Sequence, residues 1–260
     1  MSKSQESRLS CRDLGVSVPG RQLVDSLDLE IGRGELLAIL GPNGVGKSLT
    51  LHTLAALRAT ETGEVRLNGK PIEQLSRLQI AASLALLPQY TEDVFPATVL
   101  DTALIGRHPH IGRFQWESAS DREIARDALA AVDLRDLHHR NVATLSGGER
   151  RRLAVAQVLA QAPDIFLLDE PTNHLDPQHQ LDVMRVFHAQ ARNDASVVAS
   201  LHDVNLAARF ADRCLLLYGN GQWDLGATDD VLSAERLTRL YATPMESVSW
   251  RDARLFVAAG

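Results

Sequence analysis

Gly41, Pro42, Asn43, Gly44, Val45, Gly46, Lys47 and Ser48 follow one another between the apolar run ELLAIL and the helix-like SLTLHTLAALR. Residue types in that order suit one ligand chemistry, a chain of phosphates: they match G-x-x-x-x-G-K-[ST] in a strand-to-helix setting. Glycines let successive main-chain N–H groups converge on phosphate oxygens without Cβ clashes, and the start of the following helix adds a partial positive charge. Lys47 is placed to reach the β- and γ-phosphates of a nucleoside triphosphate, and the Ser48 hydroxyl to ligate Mg²⁺. Phosphoryl transfer also needs a metal-orienting carboxylate at the end of a buried strand. DIFLLDE supplies Asp169 for that role and, directly after it, Glu170 to orient or deprotonate an attacking water. A third group, Leu145-Ser146-Gly147-Gly148-Glu149, heads the helix-like RRRLAVAQVLAQ, with Ser146 and Glu149 at capping-box spacing. Helix initiation alone leaves unexplained why the first helical positions are glycines, each costing about 1 kcal/mol relative to Ala. Two glycines at a helix start suit close approach to an anion.

These groups need a rigid frame, and the apolar patterning predicts one. ELLAIL (35–40), SLALL (83–87), DIFLLD (164–169), SVVASL (196–201) and CLLLY (214–218) are short continuous apolar runs, which read as strands buried on both faces. Near the start, Leu23, Leu27, Leu29 and Ile31 share one parity, the period of a half-buried antiparallel strand. A second strand pair is expected over 64–72, where Asn68-Gly69 is a favoured turn dipeptide. The stretch 121–132 predicts a helix with Ile124, Ala128, Leu129 and Val132 on one face and Ser120 with Glu123 as its capping box. The region 90–144 reads as mainly helical. Strands alternating with helices imply an α/β fold with a mainly parallel sheet, into which an N-terminal antiparallel β layer and an α-helical insertion are set.

Bulk properties exclude several classes. A chain of 260 residues, 45% apolar and 23% charged, can bury a large core. A net charge of −6 gives no basic footprint for nucleic acid. Cys11 and Cys214 lie far apart with no CxxC spacing, which fits neither a disulfide framework nor a thiolate metal site, and a reducing compartment suits them best. The opening MSKSQESRLS lacks the apolar stretch of a signal peptide, and no apolar run reaches the roughly 20 residues of a membrane helix. His108, His110, His138 and His139 lack a zinc-ligand set, and Arg150, Arg151 and Arg152 read as a solvated or subunit-facing strip.

The LSGGE sequence, together with the glycine loop and the DE pair, resembles the ABC ATPase family over nearly the whole chain. The resemblance implies a single cassette over 1–260, with the helical insertion and signature helix at about 90–163 and a C-terminal extension at about 219–260. It also implies further roles. Gln89 is the loop glutamine, contributing to catalysis and to the Mg²⁺ shell. Asn173-His174-Leu175-Asp176 is the D-loop, and His202 after SVVASL is the switch histidine. In this family Ser146, Gly147, Gly148 and Glu149 of one chain cap the ATP held in the glycine loop of a second, so two ATPs lie between two cassettes, Asp176 among the residues near them. A homodimer, integral-membrane permease subunits and a substrate-binding protein are the implied partners, at the cytoplasmic face of the inner or plasma membrane. The stretch 98–134 and the TNHLD form of the D-loop look like the importers of iron-siderophores, haem and cobalamin. Three positions depart from the family pattern: Val18 stands where many cassettes stack an aromatic on adenine, Leu49 replaces a Thr, and Arg151 stands where Gln is usual. A DNA-repair or chromosome-organising relative would carry a long coiled coil and a translation factor two cassettes, neither of which is present. A non-hydrolysing regulator would be expected to lose Glu170 or His202. An exporter subunit is the main alternative, because the ATPase chemistry does not encode direction.

Overall fold

The computed structural model describes residues 7–89, 97–112, 114–251 and 253–259. The expected onset of the helical region at Tyr90 and the first six residues of the chain lie outside them. The chain opens with two long antiparallel strands, β1 (Leu9–Val18) and β2 (Arg21–Ile31). Leu27, Leu29 and Ile31 are buried in alternation as expected, but Leu23 and Val24 are both buried and Asp25 and Ser26 both exposed. The cause is a bulge: Leu14 pairs with Leu27 and Val16 with Val24, so β2 spends one extra residue there, with Ser26 at φ 47°. After β3 (Leu36–Leu40) and α1 (Lys47–Leu54) come β4 (Thr62–Leu67) and the short β5 (Lys70–Pro71). Asn68 at φ 50° and Gly69 at φ 77° form the tight turn between the last two, as the dipeptide predicts. The resulting sheet has the order β2-β1-β4-β5.

The second sheet carries the chemistry. Its remaining strands are β6 (Leu84–Leu87), preceded by α2 (Arg77–Ser83), and then β7 (Ile165–Asp169), β8 (Ser196–Ser200), β9 (Arg213–Leu217) and β10 (Trp223–Ala227). Between β6 and β7 lie α3 (Val99–Leu104), α4 (Ala119–Ala131) and α5 (Gly147–Gln161); α6 (Pro177–Arg192) joins β7 to β8 and α7 (Val204–Phe210) joins β8 to β9. The strand order is β10-β9-β3-β8-β7-β6, with β9, β3, β8, β7 and β6 mutually parallel and β10 antiparallel. Alternate residues serve two cores, which is why these strands are apolar throughout. Leu36, Ala38, Leu40, Phe166, Leu168, Val197 and Ala199 face a helical layer, where Phe166 meets Phe187 of α6 edge-on at 5.5 Å. Leu37, Ile39, Leu167, Val198 and Leu215 face α1 and the N-terminal sheet. Each such side chain contributes about 1.5–3 kcal/mol of burial free energy. The chain closes with α8 (Thr228–Val231), α9 (Ala234–Tyr241) and a separate hairpin, β11 (Met245–Trp250) with β12 (Ala253–Ala258), fastened to α7 where Asn205 exchanges two hydrogen bonds with the main chain of Phe256. Among the described residues no helix is long and apolar enough to cross a membrane.

Two expectations are corrected. The capping box of α4 is Ser118 with Asp121, not Ser120 with Glu123. Starting two residues earlier buries Ala125, Ala128 and Leu129 and lets the Asp121 carboxylate accept from both the Ser118 N–H at 2.9 Å and the Arg107 guanidinium at 2.9 Å. These hydrogen bonds, chiefly those from Ser118, hold the Asp121 carboxyl down at about 2. Of the two readings of Arg150, Arg151 and Arg152, a solvated or a subunit-facing strip, the first is corrected. Arg150 donates to the carbonyls of Leu145 and Ala143, and Arg152 to those of Val132 and Asp133, while Arg151 is buried.

Candidate functional site

The parallel sheet brings four loops into one row. Taken in spatial order β3-β8-β7-β6, the C-terminal strand ends lead into the glycine loop, His202, Asp169 with Glu170, and Gln89. They end level because Ile39 and Asp169 both pair with Ser200 and Leu87 pairs with Leu168. Ligands of open α/β sheets bind at such ends.

In the glycine loop Val45 is buried in the core while Asn43 and Gly44 are exposed, so the loop is anchored from beneath and open above. Gly46, at φ 108°, turns the chain into α1, a conformation that other residues adopt only under strain. Lys47 is 5% exposed, and its ammonium donates to the carbonyls of Gly41 at 2.7 Å and Pro42 at 3.1 Å. Burial pushes the Lys47 pKa down, and the carboxylates of Glu170 and Asp169 oppose that shift. A cation held inside a ring of main chain, with donors around it, fits a polyphosphate. Leu49 packs its side chain on the core below, and Thr50 is fully buried with its hydroxyl lacking a partner among the described residues, so neither side chain presents an oxygen to the loop.

The two acids divide the work by environment. The Asp169 carboxylate accepts from Ser200 Oγ at 2.7 Å through one oxygen, and no hydrogen bond from a described residue reaches the other. Together with the hydroxyl of Ser48 and the amide oxygen of Gln89, that free oxygen makes a donor set of hard oxygens, which fits Mg²⁺ shared with phosphates better than a softer metal. Glu170 is buried at the hub of a network: Oε1 lies 2.6 Å from His202 Nε2, and Oε2 accepts from Gln89 Nε2 at 2.8 Å and Asn173 Nδ2 at 3.1 Å. Its own backbone sits at φ 49°, with the N–H donating to Ser200 Oγ at 2.9 Å. A left-handed non-glycine residue at such a point is strain held in place by its surroundings.

Gln89, Asp169, Glu170 and His202 thus share one cluster, and Lys47 senses both carboxylates of the strand end. The signature is not drawn into it. Among the described residues no hydrogen bond or ion pair joins 146–149 to 41–48. Ser146 and Glu149 instead cap α5: Ser146 Oγ accepts from the Glu149 N–H at 3.2 Å, and the Glu149 carboxylate, its pKa lowered mainly by this bond, accepts from the Ser146 N–H at 2.7 Å. The Ser146 hydroxyl also bonds the Glu149 carboxylate, the second cause of its lowered pKa. A Cβ added to Gly147 would meet nothing within 4 Å, and one on Gly148 only Leu175 and His174 at 3.7 Å or more, so packing within the chain does not require either glycine. Asp176 caps α6 and pairs with His179 at 2.8 Å, with its side chain toward solvent. Ser200 is the residue that motif reasoning missed. Its one signal is a hydroxyl at the end of an otherwise apolar strand.

A P-loop nucleotide hydrolase with a second exposed helix start, capped by Ser146 and opening on two glycines, among the helices between β6 and β7 is the class that this fold and site define. Residues 24–173 match the ABC transporter family model, and the chain belongs to that family as one of its ATP-binding, ATP-hydrolysing subunits. The hemin import ATP-binding protein of Myxococcus xanthus is 41% identical over 231 residues, which cover 86% of each chain. The petrobactin import ATP-binding protein of Bacillus anthracis is 36% identical over 90% of this chain and 86% of its own. A chain from a transporter assigned to the metal-chelate type of ABC transporter, solved in an inward-facing conformation, superposes with a TM-score of 0.85 at 29% identity, covering 98% of both.

Proposed function

We propose that this chain is the energising subunit of a membrane importer for iron chelates such as hemin or siderophore complexes, acting as a pair of identical single cassettes on the cytoplasmic side of a permease fed by a substrate-binding protein. Import rather than export is favoured by the hemin and petrobactin relatives, both of which are import ATP-binding proteins. The observation that carries the chemical reading is the Glu170 hub, in which one buried carboxylate is oriented by Gln89, Asn173 and His202 beside the carboxylate of Asp169.

The glycine loop, Gly41 to Ser48, binds the triphosphate through main-chain N–H groups, and Lys47 leaves its carbonyl partners for the β- and γ-oxygens. Mg²⁺, when bound with ATP through Ser48, Asp169 and Gln89, neutralises charge on the transferring phosphoryl group. Glu170 takes the proton of the attacking water, and His202, which is half exposed, holds the Glu170 carboxylate in aim. Ser146, Gly147 and Gly148 of a second copy close the site over the γ-phosphate, where a helix start and a serine hydroxyl meet an anion. Opening and closing of that sandwich is transmitted to the permease through the helical region.

Glu170→Gln tests this directly, because it keeps the shape and an oxygen to accept from Gln89 and Asn173 but removes the base. ATP binding should persist within a fewfold while turnover falls by two orders of magnitude or more. Equilibrium nucleotide binding and phosphate release are measured separately, and turnover near the unmodified rate would remove Glu170 from the role of base.

A further inference from the structure

Arg151 has only 5% of its surface exposed and forms no ion pair with a carboxylate among the described residues. Burying a guanidinium costs several kcal/mol unless its donors are satisfied. Here each is. Nη2 donates to the carbonyls of Asp169 and Glu170, both at 2.6 Å, Nη1 to those of Pro88 at 2.6 Å and Gln89 at 3.3 Å, and Nε to that of Pro171 at 3.3 Å. Five donors thus hold five carbonyls from two segments. Burial lowers the Arg151 pKa to about 10, which leaves it charged at neutral pH.

The two segments are the ends of β6 and β7, whose side chains meet when Gln89 Nε2 donates to Glu170. Arg151 therefore grips the main chain on both sides of that bond, including the carbonyl of the residue at φ 49°. Glutamine, which is usual in the family at this position, has two N–H donors and can satisfy at most two of these five carbonyls. Packing alone would be better served by an uncharged side chain. We propose that Arg151 is a positioning residue for hydrolysis: acting through the main chain, it sets Gln89 and Glu170 in the register from which Glu170 addresses the attacking water. It does so from α5, the helix that also presents Ser146, Gly147 and Gly148. Misplacement of a reacting group by about 1 Å can cost on the order of a hundredfold in rate.

The inference rests on Glu170 being the hydrolytic base, so the experiment carries Glu170→Gln as its own control. Full-length Arg151→Gln and Arg151→Lys are compared with the unmodified protein in kcat, KM, equilibrium ATP affinity and thermal midpoint, alone and combined with Gln89→Ala. The expected result is a kcat lowered tenfold or more in both variants, with ATP affinity within about twofold. Little further loss is expected when Arg151→Gln is added to Gln89→Ala, since both act on one geometry. Arg151→Lys retains the charge without the fork, and gives the reading should Arg151→Gln not fold. An unchanged kcat overturns the proposal. So does a loss shared by affinity and thermal midpoint that multiplies independently with Gln89→Ala, which marks a purely structural residue. If Glu170→Gln itself turns over normally, the reading of the base has failed instead, whatever Arg151 does.

Discussion

Glu170 and Lys47 are legible from spacing because their partners are phosphates and a strand end, which impose a fixed order on the chain. The residues that hold them are not. Arg151 binds main-chain carbonyls, and a carbonyl has no letter in a sequence; Ser200 sits in an apolar run where a hydroxyl reads as an ordinary strand residue. Val18 has its own consequence at this scale. It ends β1, 37% exposed, and where the family resemblance implies an aromatic stacked on the base it offers no aromatic face. Base stacking on an aromatic is worth on the order of 1–3 kcal/mol, and without it the triphosphate and its ion carry most of the affinity. GTP should therefore compete within about tenfold of ATP, a gap of roughly 1.4 kcal/mol. Competition against a fluorescent nucleotide measures this, and a thousandfold preference for ATP would mean that another side chain reads the adenine.

α1 illustrates what an element inherits from being both a phosphate-binding helix and a core helix. Its first turn faces the loop, whereas Thr50, Leu51, Thr53 and Leu54 are buried. The Thr53 hydroxyl donates to the Leu49 carbonyl at 2.8 Å, but that of Thr50 is buried without a partner among the described residues. An unsatisfied buried hydroxyl costs about 1–3 kcal/mol, and valine has the same shape and a similar helix propensity. Thr50→Val should therefore stabilise the protein by about 1 kcal/mol, seen in urea unfolding as a higher midpoint at unchanged slope. A lower midpoint would show that the hydroxyl has a partner in solution. The parallel strands were legible because both faces of β3, β7 and β8 are buried, which leaves an unbroken apolar run. The bulge in β2 and the true start of α4 were not. The first depends on how β1 pairs with it, and the second on Arg107 reaching Asp121 from the preceding turn, which favours Ser118 over Ser120 as the cap. The β11–β12 hairpin left little signal because Val248, Trp250 and Val257 are exposed and, among its described residues, Phe256 alone is buried in the core.

For the whole molecule, the decisive fact is that one chain assembles Lys47, Asp169, Glu170, Gln89 and His202 but leaves Ser146, Gly147 and Gly148 on a separate exposed helix start with no described partner from the loop. A hydrolytic site built from both halves needs two copies. ATP should then act as the bridge, stabilising the dimer by mass action for as long as it is not consumed. With Glu170→Gln and ATP, sedimentation should show a dimer that accumulates with nucleotide and disperses when it is removed. Mixing isolates the geometry. A Lys47→Ala chain lacks the phosphate cation and a Ser146→Arg chain blocks the cap, so each alone should be inactive. A mixed dimer keeps one intact site, built from Lys47 of the second chain and Ser146 of the first. Mixing should restore part of the activity, at most the share of one site in the fraction of dimers that are mixed. If the two sites turn over only together, rescue fails while the ATP-dependent dimer of Glu170→Gln still forms, and obligatory coupling is the result. If that dimer does not form at any ATP concentration that saturates the glycine loop, the signature helix of one copy does not serve the ATP of the other in the isolated subunit, and the shared site is overturned.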